Sequence, residues 1–257
     1  MMPSYFFAHG APSLVLERHA YTDFLKQFAA DTPKPKAIVL FSAHWEDSVQ
    51  AVSDVKTYDT IYDFSGFQDE LYTLTYPAHG DRGLSERVQA LFAKHGIPSK
   101  SNETRGLDHG AWAVLKLLYP DADIPVIALS VNRYLTNEQQ YNIGKALAEL
   151  REQDVMIIGS GGTVHNLRRL NWHAGDKADE WAVAFDQWLQ EKLEQWDTAA
   201  LFDYEQQAPY ARESVPTNEH FIPLLLAMGA GDETRQAKLL HRSYQMGSLS
   251  LSCWQFN

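Results

Sequence analysis

Residues 36–47 read KAIVLFSAHWED. From Ala37 to Phe41 the run is apolar and β-branched with no polar alternation, the pattern of a strand covered on both faces of a sheet. "IPVIALSV" (124–131) and "DVMIIGS" (154–160) have the same character, "SVQAVS" (48–53) reads as a shorter strand, and "YFFA" (5–8) as another that Gly10 and Pro12 stop. Between these runs, residues 20–31, 84–96, 137–153 and 179–196 space their apolar residues as helices do. Gly96 is placed as a helix-ending glycine and Asn137 as a helix N-cap. The stripe of Trp181, Phe185, Trp188 and Leu189 reads as core packing. The closing "KLLHRSYQMGSLSLSCWQF" (238–256) reads as strand, Gly247 turn and strand. Alternating strands and helices predict an α/β fold, with a mostly parallel central sheet flanked by helices and a C-terminal β-hairpin. No repeat, low-complexity tract or linker interrupts it, so a single domain over residues 1–257 is expected.

Composition narrows the function classes. The 257 residues carry 22 Lys and Arg against 33 Asp and Glu, a formal charge of −11. Such an acidic chain is poorly suited to nucleic acid or to an anionic membrane, both of which need a basic surface. No run approaches the roughly 20 apolar residues of a membrane span, and no signal-peptide layout is present. The single cysteine, Cys253, excludes an internal disulfide and suits a cytoplasmic location. Its apolar surroundings mark a buried strand thiol.

Three of the ten histidines follow strands. His9 follows the first, His44 the run at 36–43, and His165 a glycine-rich turn in "IIGSGGTVHNL" (157–167). Parallel strands bring their carboxyl ends to one edge of the sheet, where ligands gather in open α/β folds. Imidazole is the usual nitrogen ligand of zinc and iron, and such sites commonly take three protein donors and keep a position open. A third donor is available in "SVPTNEHFIPLLLAMG" (214–229), where Pro216 and Thr217 read as a helix start with Glu219 and His220 in its first turn. Adjacent helical residues point about 100° apart, so one of the two faces the site, and spacing does not choose between them. In "GLDHGAWAVLKLLYP" (106–120), His109 sits at a helix N-terminus, which favours a neutral imidazole able to exchange a proton near pH 7. The bland alternative is that His109 caps the helix or bonds Asp108. His19 and His95 on helices, His241 in the hairpin, and His79 and His173 in loops carry no such signal. The glycines of "GSGGTVH" match no phosphate-binding motif. Ser42 and Ser160 lie near histidines without a nucleophile elbow, which argues against a serine hydrolase.

Taken together, "HGAPS" (9–13), "SAHWE" (42–46), "DHGAW" (108–112), "GSGGTVHNL" (159–167) and "PTNEHFIPLL" (216–225) resemble the class III extradiol ring-cleaving dioxygenases, in the 4,5-DOPA dioxygenase-like branch of the LigB superfamily. The likeness extends through "YDFSGFQDELYTLTYPAHG" (62–80), "LYPDADIPVIALS" (118–130) and "QMGSLSLS" (245–252). It implies one divalent metal per chain, Fe(II) for dioxygenase activity and Zn(II) in an isolated form, held by His9, His44 and His220. Related enzymes use a glutamate as the third ligand, which keeps Glu219 in question. His165 is implied either as a fourth ligand in a zinc form or as the acid/base beside the substrate, and His109 as a second pocket histidine steering substrate or oxygen. The implied partners are a small aromatic diol and O2. Phe64, Phe67, Trp45 and Tyr76 are candidate pocket walls, and Gly10 is expected to leave room beside the metal. The competing functions are a zinc-dependent hydrolase at the same histidines and a non-catalytic ligand binder. The oligomeric state is not legible.

Overall fold

The computed structural model describes residues 1–174 and 177–257. In chain order its elements are β1 (Ser4–Ala8), α1 (Ala20–Asp31), β2 (Ala37–Glu46), β3 (Gln50–Ser53), α2 (Arg82–Lys94), β4 (Ser99–Asn102), α3 (His109–Leu118), β5 (Val126–Val131), α4 (Asn137–Lys145) and β6 (Val155–Gly161). They continue with α5 (Glu180–Glu194), the short helices α6 (Thr198–Phe202), α7 (Tyr204–Gln207) and α8 (Ala211–Ser214), then α9 (Ile222–Ala230), β7 (Ala237–Gln245) and β8 (Leu249–Phe256). One eight-stranded sheet runs in the order β4-β3-β5-β2-β6-β1-β8-β7. Its centre, β5-β2-β6-β1, is parallel, while β8 is antiparallel to β1 and to β7. On the other flank β3 meets β5 antiparallel.

The apolar strand runs face two cores because side chains alternate across a sheet. Ile38 and Leu40 of β2 join Met156 and Ile158 of β6 against α3 and the loops before it. Val39 and Phe41 join Ile157, Ile127 and Leu129 on the opposite face, against α2, α4 and α9. A third cluster lies between α5, α9 and the hairpin, and it takes in Phe185 and Leu189 of the aromatic helix. α9 is buried on every side, with all nine of its residues inaccessible. Cys253 is a buried thiol on β8.

Four local expectations are corrected. Thr136, not Asn137, caps α4, its hydroxyl accepting from Gln139 N–H in a capping box. The 137–153 helix ends at Lys145 and continues as a 3-10 turn over Ala148–Gln153. His44 lies inside β2, which continues to Glu46 after a register shift. Pro216 does not start a helix. Residues 216–221 are turns, and α9 begins at Ile222 with Pro223 in its first turn, so Glu219 and His220 precede the helix. Gly96 ends α2 as expected, with φ +69°.

Candidate metal centre and active-site cavity

β2, β6 and β1 are neighbours, so the strand-borne histidines meet at one edge of the sheet. His9 leaves β1 with its backbone N–H on the Gly161 carbonyl at 3.1 Å. The segment carrying His220 packs directly on β6 because Gly159 and Gly161 have no side chains. A Cβ on Gly161 would lie 2.2 Å from the His220 carbonyl oxygen, and one on Gly159 2.0 Å from that of Pro223. The Gly162 N–H then bonds the His220 carbonyl at 2.9 Å. Those glycines serve a close backbone approach and not a phosphate. Gly110 does the same for α3, whose N-terminus lies so near that a Cβ would meet Ser42, His44 and His9 within 3.2 Å.

Three imidazole edges converge. Nε2 of His44 lies 3.1 Å from Nε2 of His9 and 3.2 Å from Nε2 of His220. Their protonation is set from behind. The Ser160 hydroxyl donates to the Gly110 carbonyl at 2.5 Å, so toward His9 its oxygen accepts, fixing a proton on His9 Nδ1 at 3.1 Å. Glu219 accepts from His220 Nδ1 at 3.0 Å. Asp63 Oδ2 lies 3.3 Å from His44 Nδ1. Each ring therefore carries its proton on Nδ1 and turns an Nε2 lone pair inward. Burial, reinforced by the neighbouring imidazoles, holds His9 well below the usual histidine range. Burial and then His109 and His220 hold His44 down to about 2, against the pull of Asp63.

Three lone pairs facing one point repel unless a cation sits among them. Zinc–nitrogen bonds of about 2.1 Å place two ligand nitrogens roughly 3.0 Å apart at right angles and about 3.4 Å apart at the tetrahedral angle. The observed 3.1 and 3.2 Å fall in that interval. The donor set, with each Nδ1 turned to an oxygen acceptor, fits a divalent transition metal. Glu219 directs its Oε1 to His220 Nδ1 instead of joining the three nitrogens.

His165 lies outside that trio. Its ring stacks on His220, centroids 3.5 Å apart and planes 8° from parallel, and its nitrogen groups with Glu219 and His220. Burial and the neighbouring His220 push it down to about 3. His109 is the first residue of α3, and the cap is Asp108, not His109. Its Nδ1 lies 3.0 Å from Asp63 Oδ1, and its backbone N–H donates to the same oxygen at 2.9 Å. The ring N–H is off the line to the oxygen, so the ring contact is electrostatic and not an aligned hydrogen bond. Asp108 is spent on Ser42 and Arg105 and does not bond the His109 ring.

These groups open onto a cavity of about 740 Å³. His44, His109, His165 and His220 line its floor, and Phe64 and Phe67 one wall. Trp45 and Tyr76 are not walls: Trp45 is buried beneath the Arg105 guanidinium at 5.1 Å, and the Tyr76 hydroxyl bonds the Tyr119 carbonyl inside the core. Gly10 does line the cavity, yet its missing Cβ makes room for Leu14 and Leu251, and its φ of +64° makes the turn. Arg168 is the one cationic side chain lining the cavity among the described residues. Asp63 and Arg168 escaped the sequence reading as site residues. Only the position of Asp63 in the stretch 62–80 carried any signal for it.

Two histidines from the ends of parallel strands and a third from the turn before α9 form a metal-type site beneath an aromatic-walled cavity, the arrangement of a metal-dependent enzyme. Residues 12–252 match the family model described as the catalytic LigB subunit of aromatic ring-opening dioxygenase, and the chain belongs to that family. It is 40% identical over 257 residues to a Beta vulgaris protein named 4,5-DOPA dioxygenase extradiol, covering 98% of this chain and 96% of that one. It is 37% identical over 256 residues to an Escherichia coli K12 protein of the same name, covering 97% and 93%. A crystal structure of an uncharacterized Escherichia coli K12 protein superposes with a TM-score of 0.84 at 33% identity over the full length of both chains.

Proposed function

We propose that this protein cleaves a DOPA-like catechol with O2, beside the diol, to a ring-opened semialdehyde. The convergence of three Nε2 lone pairs at the base of an aromatic-walled cavity, two of them on histidines that line it, carries this reading. Its family membership and the names of its relatives support it. His9, His44 and His220 would hold the metal. A divalent metal held there, iron(II) for the oxygen-dependent reaction, would supply Lewis acidity toward the diol and a common binding point for the two reactants. Zinc fits the same donors as an isolated form.

The chain's own groups supply the rest. Phe64 and Phe67 offer flat faces to the ring. His165, neutral through burial and His220, accepts the diol proton and returns it later in the reaction. Its stacked position above His220 favours that acid/base role over a fourth ligand. His109 presents its Nε2 as an acceptor that steers the substrate. Arg168, at the cavity wall, suits a side chain ending in a carboxylate. A zinc hydrolase gains no comparable support, because the family and the named relatives are ring-opening dioxygenases. The acidic surface and the lone buried thiol favour a cytoplasmic enzyme of one domain that engages no nucleic acid. No helix among the described residues is long and apolar enough to cross a membrane.

The test is iron(II) reconstitution under nitrogen, a panel of catechols and then air in an oxygen electrode. Oxygen uptake matched mole for mole by a coloured ring-opened product is expected. Absence of uptake across the whole panel contradicts the reading.

A further inference from the structure

Asp63 belongs to no strand or helix, yet its position is tightly set. The loop that carries it is pinned to the start of α3: Leu107 N–H bonds the Asp59 carbonyl at 2.9 Å, and Ile61 N–H bonds the Leu107 carbonyl at 2.7 Å. The Trp112 indole N–H bonds the Ile61 carbonyl at 3.0 Å. A Cβ on Gly106 would lie 2.3 Å from the Asp59 carbonyl oxygen, so the two segments are in backbone contact. From this fixed point the two oxygens of Asp63 divide between two imidazoles. Oδ2 faces His44 Nδ1 at 3.3 Å, and Oδ1 faces His109 Nδ1 at 3.0 Å while accepting the His109 backbone N–H. The two rings lie 4.1 Å apart, centroid to centroid.

We infer that Asp63 is a positioning residue that holds two histidines at once, fixing His44 as a metal donor and His109 as a cavity acceptor in the same tautomer. An ionised carboxylate only accepts hydrogen bonds. Each Nδ1 lies within 3.3 Å of a carboxylate oxygen. Although the His109 ring N–H is not aligned on Asp63, the negative charge favours the proton on Nδ1 and the lone pair on Nε2 in both rings. No other group does this for both. The His9 and His220 rings have their own acceptors, Ser160 and Glu219. Asp108, a buried carboxylate nearby, is occupied by Ser42 and Arg105. The metal donor and the substrate-facing histidine are therefore coupled through one side chain. This inference rests on the dioxygenase reading for the role of His109, but not for the geometry.

The decisive variant is Asp63→Asn, which keeps the shape and replaces one acceptor oxygen by an NH2 donor. A donor facing Nδ1–H forces one ring to flip or change tautomer. Two readouts need no turnover. Zinc affinity, by chelator competition, is expected to fall about 10- to 100-fold. In ¹⁵N-labelled zinc-loaded protein, long-range proton–nitrogen correlations are expected to give the Nδ1–H form for His109 in the parent and its loss in the variant. Circular dichroism establishes that the variant folds. Both effects together support the coupling. If either the zinc affinity or the His109 tautomer is unchanged, one carboxylate does not serve both rings and the inference is overturned. A parent protein that opens no catechol while the variant produces both effects removes the dioxygenase reading and leaves the coupling in place.

Discussion

His165 and His220 lie face to face, rings 3.5 Å apart and 8° from parallel, although 55 residues separate them in sequence. A nitrogen of His165 groups with Glu219 and His220, while the trio His9, His44 and His220 forms a separate group. In the proposed reaction the two histidines divide the work, His220 toward a metal and His165 toward a substrate proton.

Replacing His165 separates those roles. His165→Ala should retain metal with near-parental affinity while kcat falls about 10²- to 10⁴-fold, the usual range for a lost general acid/base. His44→Ala should abolish stoichiometric metal binding. Metal analysis and single-turnover kinetics on the two variants check both, and metal loss from His165→Ala would make it a ligand.

The glycine approach beneath His220 gives a second prediction. Gly161→Ala places a Cβ 2.2 Å from the His220 carbonyl oxygen, so backbone must move. A destabilisation of about 1–3 kcal/mol is expected, read as a lower Tm, together with weaker zinc binding. Gly110→Ala meets its nearest atom at 2.9 Å, a side-chain hydroxyl, and should be milder.

Acid should destabilise the metal-free protein in a defined window. Burial depresses His9, His44 and His165 below the value of about 6.5 in an unfolded chain. Between the folded and unfolded values the unfolded state binds more protons, so stability is fully present above about pH 6.5 and is lost as pH falls. Each histidine held neutral contributes a slope of about 1.4 kcal/mol per pH unit in that window. Asp63 and Glu219, brought down to about 2 by their histidine partners despite burial, steepen the loss below about pH 4.5. Urea unfolding of metal-free protein from pH 8 to 4 checks the slope, and a flat profile contradicts it.

Much of the site was legible because parallel strands must bring their ends together. His9, His44 and His165 could be placed at one sheet edge from apolar runs alone. Spacing does not separate His220 from Glu219, since it suggests a helix where the chain makes a turn packed on the glycines of β6. Asp63 was illegible for a related reason. Its position depends on backbone bonds between 59–61 and 107 that carry no periodic signal. Trp45 and Tyr76 misled because aromatic composition does not distinguish a cavity wall from a core. The same limit hid β4, whose residues Ser99–Asn102 pair at the sheet edge without an apolar run.

Arg168 makes substrate choice testable. Arg168→Met should raise KM roughly tenfold for catechols bearing a carboxylate, the loss of one charge-assisted contact at an exposed wall. A neutral alkylcatechol should be unaffected. An equal change for both substrates would remove Arg168 from recognition.

The central claim is that a catechol and O2 react together on the histidine floor of this cavity. Mass spectrometry of the product formed by iron(II)-loaded protein under ¹⁸O₂ tests it most directly. Dioxygenation predicts a ring-opened product that takes up both atoms of one O2, before any exchange with water. Oxygen drawn only from water, or turnover by the zinc form under nitrogen, would contradict it.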